Sequence, residues 1–314
     1  MIKRWLDWSS SLDEVAICRE LLADERLTYL DIGAAGGLLP RLRPFKDLLF
    51  CVTFEPQDIA LPNDDVAPFS SSQGGRQYPY AVSNTIGKES LKLTKGRNES
   101  SLVQPNRAFS DGFRASDRFD VEQLLEVPTI TLDSLDLPVV DVVKIDVQGA
   151  LSKVLDGGKG LLTRALMVEA ELEFHEVYEN QFQIGDVICE LRKLGLELED
   201  FTDLIRWQRI NNEFNTSSVG SLVHGDALFI SGTGEELLRM SDEGKLRRLL
   251  AGLVVYRRFE MLLYLSNAPA LSGPLAARIK MFAERKIRKH RMVAEVINKV
   301  ARLMGPGSSG HLIP

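Results

Sequence analysis

Cysteine is scarce in this 314-residue chain: Cys18, Cys51 and Cys189 are the only three, far apart, and two of them lie in apolar runs. That excludes a disulfide framework or a cysteine-based metal cluster and points to free thiols in a reducing compartment. Positive charge is in deficit, with 38 Lys and Arg against 44 Asp and Glu and a formal net charge of -6. Such a balance argues against a surface built throughout for nucleic acid. No uncharged apolar run is long enough to cross a bilayer. The opening Met1-Ile-Lys-Arg-Trp-Leu-Asp7 starts basic, but Asp7, Asp13 and Glu14 break the apolar stretch that a secretory signal needs. There is no internal repeat. What remains is an ordinary globular chain, expected in the cytoplasm and long enough for one large domain with an appendage.

The most informative segment present is Leu27-Thr-Tyr-Leu-Asp31-Ile-Gly33-Ala-Ala-Gly36-Gly37. Apolar, β-prone residues up to Ile32 predict a buried strand, and the glycines that follow remove side chains where the backbone turns and a ligand approaches. A helix opening after such a turn aims free N–H groups at whatever the loop holds. The dinucleotide fingerprint G-x-G-x-x-G, started from Gly33, fails at Ala35 and Leu38. A second apolar strand, Phe50-Cys-Val-Thr-Phe54, ends in Glu55, where a carboxylate is placed to accept hydrogen bonds from both hydroxyls of a ribose. The pair predicts a nucleoside-containing ligand.

Elsewhere the pattern predicts an N-terminal helix over 11–24, capped by Ser10 or Ser11, with Leu12, Val15, Ala16, Cys18, Leu21 and Leu22 facing the sheet. Residues 56–75 are rich in Pro, Asn, Asp, Ser and Gly and predict a surface excursion. A strand over 77–82 and a hairpin partner over 90–94 follow, then a polar loop over 95–119 suited to a lid. Strands are predicted at 127–132, 139–146, 165–169, 195–204 and 226–230, and helices at 150–162 and 184–194. This alternation describes an open α/β sheet with helices on both faces.

The run Asp141-Val-Val-Lys144-Ile-Asp146-Val-Gln148-Gly149-Ala150, followed by Val154-Leu155-Asp-Gly157, resembles the FkbM family of S-adenosylmethionine-dependent methyltransferases. Lys144, Asp146, Gln148, Gly149 and Ala150 fall on that family's motif, whereas Leu151 stands where the family usually has glutamate. Asp31-Ile-Gly33-Ala34 with Gly37, Phe54-Glu55-Pro56, Ala81-Val-Ser83, Ser100-Ser-Leu102, Thr131-Leu-Asp133-Ser-Leu135, Glu171-Leu-Glu-Phe-His175 with Tyr178, and Asp226-Ala-Leu-Phe229 agree in the same order. The resemblance covers 28–232 and implies a Rossmann-like, seven-stranded methyltransferase sheet whose last strand is antiparallel. It also implies S-adenosyl-L-methionine as cofactor, held by Asp31, Gly33, Ala34, Gly37, Glu55, Ser83 and Asp146. The acceptor it implies is a hydroxyl of a saccharide or related small molecule.

Methyl transfer to oxygen needs the hydroxyl in line with the methyl group and a base to take its proton. The candidates are Asp146, Glu171 and His175, with Lys144 orienting them. No dedicated metal cluster is present. Mg²⁺ bridging Asp146 and Glu171 is the one arrangement the residue types would allow.

Beyond residue 232 the chain predicts a helical extension to 304 and a disordered tail over 305–314, with 1–27 as a separate N-terminal helical segment. Between Arg278 and Arg302 nine basic residues face only Glu284 and Glu295. Ile279, Phe282, Ile287, Val293, Val296, Ile297 and Val300 supply an apolar stripe there. Residues 276–302 are therefore a candidate contact for an anionic membrane face or a protein partner, or a plain solvated helix. Two competing functions use other features: an RNA methyltransferase gripping through this basic helix, and a non-catalytic binding module. The charge balance disfavours the first, and the intact glycine loop, Glu55 and Asp146 disfavour the second.

Overall fold

A computed structural model describes residues 2–35, 37–56, 75–137, 140–210 and 220–303, with backbone alone at 2–11, 297–298 and 300–303. Gly36, the excursion over 57–74, the tail over 305–314, the side chains of Ser10 and Ser11, and Ile297 and Val300 of the stripe lie outside what is described.

The strands are β1 (Leu27–Ile32), β2 (Leu49–Phe54), β3 (Arg76–Tyr78), β4 (Ala81–Val82), β5 (Gly87–Thr94), β6 (Val121–Ile130), β7 (Val142–Ile145), β8 (Met167–Glu173), β9 (Leu196–Trp207) and β10 (Ser221–Ser231). Seven of them form one sheet in the order β3-β2-β1-β7-β8-β10-β9. All pairings are parallel except those of β10, which runs antiparallel to both β8 and β9. This is the sheet the resemblance implied, last strand included. β1 and β7 are buried throughout, as parallel strands covered on both faces must be.

Strand alternation gives the sheet two unlike faces. Leu30, Ile32, Val143, Ile145, Val168, Ala170 and Leu172 pack with α3 (Leu151–Asp156), α4 (Lys159–Leu162) and α5 (Ile184–Lys193). On the other face Leu27, Tyr29, Val142, Met167, Leu228 and Ile230 join one core with α1 (Ile2–Leu22), α7 (Glu243–Val255), α8 (Phe259–Leu265) and α9 (Gly273–Leu303). Every residue of α7 from Leu249 to Val255 is buried, so this helix is central to the cover. Short helices α2 (Arg107–Ser110) and α6 (Gly234–Leu238) complete the fold.

Several local expectations are corrected. The stretch 77–82 is split between two sheets: β3 pairs with β2, while β4 joins a separate three-stranded sheet, β4-β6-β5. Pro79, which has no N–H to donate, lies at the break, and Tyr78 is tied to the large sheet by stacking on Phe54 at 5.1 Å. The strand over 87–94 therefore pairs antiparallel with β6 and not with 77–82, burying Leu91 and Leu93 against Val127. The helix expected over 150–162 breaks into α3 and α4 at Gly157-Gly158, where two poor helix formers adjoin. α1 begins earlier than expected, and Leu12 and Ala16 are exposed while Ile17 takes the inward position.

Three basic residues of α9 find counter-charges on α1. Lys286 Nζ lies 2.9 Å from Glu14, with both side chains buried; Arg285 is 3.1 Å from Asp13, and Arg278 pairs with Glu20. Among the described residues no helix is long and apolar enough to cross a membrane.

Candidate active site

A cavity of about 440 Å³ opens at the carboxyl ends of β1, β2 and β7, where the strand order reverses. Asp31, Gly33, Ala34 and Gly37 line it from the first loop, Glu55 from the end of β2, and Lys144, Asp146 and Gln148 from the end of β7. Ala81, Val82 and Leu91 of the small sheet and Arg97 to Leu102 of the following loop form the opposite wall. Gly33 is obligatory: at φ +84° a Cβ would stand 1.8 Å from the Asp146 carbonyl oxygen.

The charges here are tightly placed. Lys144 Nζ donates to Asp146 Oδ2 at 3.1 Å and stands 3.7 Å from Asp31 Oδ1. That Asp31 oxygen is buried and has no hydrogen-bond partner in the protein. Burial pushes the Asp31 carboxyl up to about 6, with Lys144 opposing. Glu55 is pushed up to about 7 by burial and by the Asp31 charge, against a backbone hydrogen bond from Ala35. Burial works against the charge on Lys144, but Asp146 and Asp31 outweigh it and hold the ammonium above its ordinary range. Burial likewise opposes ionisation of Asp146, yet Lys144 and the Gln148 amide keep its carboxyl below the usual range.

Past Asp146 a polar stripe crosses the same sheet face. Gln148 Nε2 donates to Asp146 Oδ1 at 2.9 Å and to Glu171 Oε2 at 2.8 Å, and Glu171 Oε1 lies 2.8 Å from His224 Nδ1. In register His224 of β10 faces Glu173, and Glu171 is the next residue along β8 on that face. Burial and the Asp146 charge raise the Glu171 carboxyl. Burial disfavours a charged His224, but its hydrogen bond with Glu171 prevails and raises the imidazole above its ordinary value. Asp226, cross-strand from Glu171, is pushed up to about 7 by burial and by Glu169.

Two expected residues are not part of this arrangement. His175 lies beyond the end of β8, exposed and stacked on Phe109 at 5.1 Å. Ser83 is buried, and its hydroxyl donates to Glu89, which also receives Lys153 at 2.8 Å; it does not line the cavity. His224, Gln148 and Tyr178 take part without having been predicted to. Gln148 and Tyr178 lay within the recognised segments, but nothing local marks His224. Asp146 does not cap α3, whose N-cap is Ala150 with no side-chain bond.

The bridging Mg²⁺ does not fit. All four oxygens of Asp146 and Glu171 already accept from Lys144, Gln148 or His224. Among the described residues no group of three or more His, Cys, Asp or Glu is arranged to hold a metal. The Asp31 carboxylate, whose Oδ1 has no hydrogen-bond partner and only the more distant Lys144 charge, does suit a cationic amino group, and Glu55 suits ribose hydroxyls, so the cavity fits S-adenosylmethionine.

A doubly wound sheet with one antiparallel strand, and acidic residues ending β1, β2 and β7 around a cavity at the switch point, defines a Rossmann-like methyltransferase. Residues 43–198 match the methyltransferase FkbM domain, and the chain belongs to that family of S-adenosylmethionine-dependent enzymes. A curated relative, the 2-O-methyltransferase NoeI of Sinorhizobium fredii (strain NBRC 101917 / NGR234), is 29% identical over 174 residues, 51% of this chain and 68% of that one. Two solved structures are also similar. A TehB-like SAM-dependent methyltransferase from Corynebacterium glutamicum ATCC 13032 has a TM-score of 0.30 and 11% identity, covering 73% of this chain and 95% of its own. An antibiotic-related methyltransferase has a TM-score of 0.29 and 13% identity, covering 68% and 90%. The strand order, and not these superpositions, defines the fold.

Proposed function

We propose that this enzyme methylates a hydroxyl of a saccharide or related small molecule. The observation that carries the reading is the His224–Glu171 pair, joined to the cavity wall through Gln148: with Nδ1 against the carboxylate, Nε2 is the nitrogen that would accept a hydroxyl proton. Asp31 would hold the amino group of S-adenosylmethionine and Glu55 its ribose, with Gly33, Ala34 and Gly37 giving the backbone room. The cofactor supplies the methyl group. Glu171 aims His224 and stabilises the imidazolium formed when the proton arrives, while Lys144 fixes Asp146 at the cavity wall. The name of the 29%-identical relative, a 2-O-methyltransferase, supports oxygen as the accepting atom.

Calorimetry with S-adenosylmethionine tests the cofactor, and mass spectrometry of glycans incubated with labelled cofactor tests the acceptor. No cofactor binding would sink the reading. The RNA alternative loses its support because Arg278, Arg285 and Lys286 are engaged by α1. A contact through 276–302 then reduces to the outer face of α9, where Met281 and Met292 are exposed among Arg288 and Lys289. Residues 28–232 would form the catalytic domain in the cytoplasm, with 233–304 as its cover.

A further inference from the structure

Gln148 occupies the turn after β7 in a left-handed conformation, φ +52°, which an L residue adopts only at an energetic cost. The surroundings impose it. Gly149 follows at φ +79°, where a Cβ would lie 2.6 Å from the Tyr178 ring, and Ser101 Oγ donates to the Gln148 carbonyl at 2.6 Å. The side chain is thereby aimed between Asp146 and Glu171, with its oxygen 2.9 Å from the Tyr178 hydroxyl.

Counting protons fixes the meaning of that arrangement. The amide carries two N–H groups, and each meets a carboxyl oxygen, one of Asp146 and one of Glu171, two groups that also interact with each other directly. Tyr178 has one hydrogen, within reach of both Gln148 Oε1 and the Glu99 carbonyl at 3.0 Å. With the amide reversed, its oxygen would confront both carboxylates, and a proton would have to sit on one of them. With no amide at all, neither carboxyl has those two donors, and a proton between them is held more tightly. Glu171 would then lose charge and its hold on His224.

We propose that Gln148 is a positioning residue: its amide, oriented by Tyr178, spans Asp146 and Glu171 and, by donating to both, favours the charged Glu171 that aims His224. This rests on reading the His224–Glu171 pair as the base. The groups facing the carboxylates are Lys144 of β7, Asp31 of β1, Glu169 and Glu173 of β8, Asp226 of β10 and Glu99 of the loop. None of them takes the place of the amide between the two carboxylates.

The test needs no acceptor. The chain has four histidines, so ring NMR signals can be followed against pH and the His224 signal assigned with H224N. Gln148→Met keeps the length and removes both donors; the His224 midpoint is expected to fall by about one unit, a tenfold loss of proton affinity. Tyr178→Phe, which removes one oxygen and keeps the ring, is expected to lower it by less. An unchanged midpoint in Gln148→Met, or in Tyr178→Phe should the first variant not fold, overturns the proposal. Calorimetry of the unsubstituted protein with S-adenosylhomocysteine, run in parallel, separates the two readings. Absence of binding there would remove the methyltransferase reading while the His224 titration still decided the role of Gln148.

Discussion

His224 meets Glu171 through Nδ1 and does not line the cofactor cavity, so its replacement by alanine removes the proposed base while leaving that cavity intact. Transfer of label to a saccharide acceptor is expected to fall about 10²–10⁴-fold with cofactor affinity unchanged. His175→Ala, on an exposed turn, should leave transfer within about twofold. Equal losses in both variants would contradict the assignment. Asp31→Asn removes a charge-assisted partner for the cofactor's amino group, and calorimetry should show roughly 10–100-fold weaker binding. Asp31, Glu55, Lys144 and Asp146 were legible in sequence because each follows or ends an apolar run. His224 was not, because its partner Glu171 is 53 residues away and only the antiparallel register brings the two together.

Among the elements, α9 illustrates how a charge run can mislead. Counted alone it is strongly basic, yet Lys286 is buried against Glu14 of α1, a segment at the other end of the chain. Lys286→Met should therefore destabilise the protein by about 1–3 kcal/mol, because buried Glu14 loses its nearer cation and keeps the more distant Arg257 at 3.6 Å. Replacing both residues with methionine should recover most of that loss; a double variant as unstable as the single one, by urea denaturation, would argue against the pair. The small sheet makes the complementary point. β5 was read correctly as a strand, but its partner β6 is separated from it by the loop over 95–120, so local alternation could not say which strand it meets.

On the scale of the whole molecule, the helices beyond residue 232 complete the core of the sheet. Tyr29, Met167 and Leu228 share one cluster with α7, α8 and α9, so a chain truncated before α7 should aggregate and not fold, as judged by solubility and NMR dispersion. A soluble, cofactor-binding truncation would show the extension to be separable. The buried carboxylates also set a pH trend. Asp31 stands at about 6 and Glu55 and Asp226 at about 7, whereas unfolded carboxylates titrate near ~4. Between those limits the folded state binds more protons, so these groups lose stability as pH rises. Glu171 and Glu173 are displaced in the same direction, and the raised His224 likewise gives up its contribution as pH climbs through its folded value. The thermal midpoint of the cofactor-free protein should therefore be higher near about pH 5.5 than near about pH 7.5. Asp226→Asn should flatten that slope; a midpoint that rises with pH would refute the account.

The sequence by itself determined the strands, the glycine loop, the acidic strand ends and the family, because each is written in short-range periodicity and local backbone need. Tertiary structure alone decided that His224 meets Glu171 and that Gln148 touches two carboxyls. It also decided that three basic residues of α9 are paired with acids of α1. Those are cross-strand and cross-chain contacts, fixed by register and packing, and neither is visible to a window that slides along the chain.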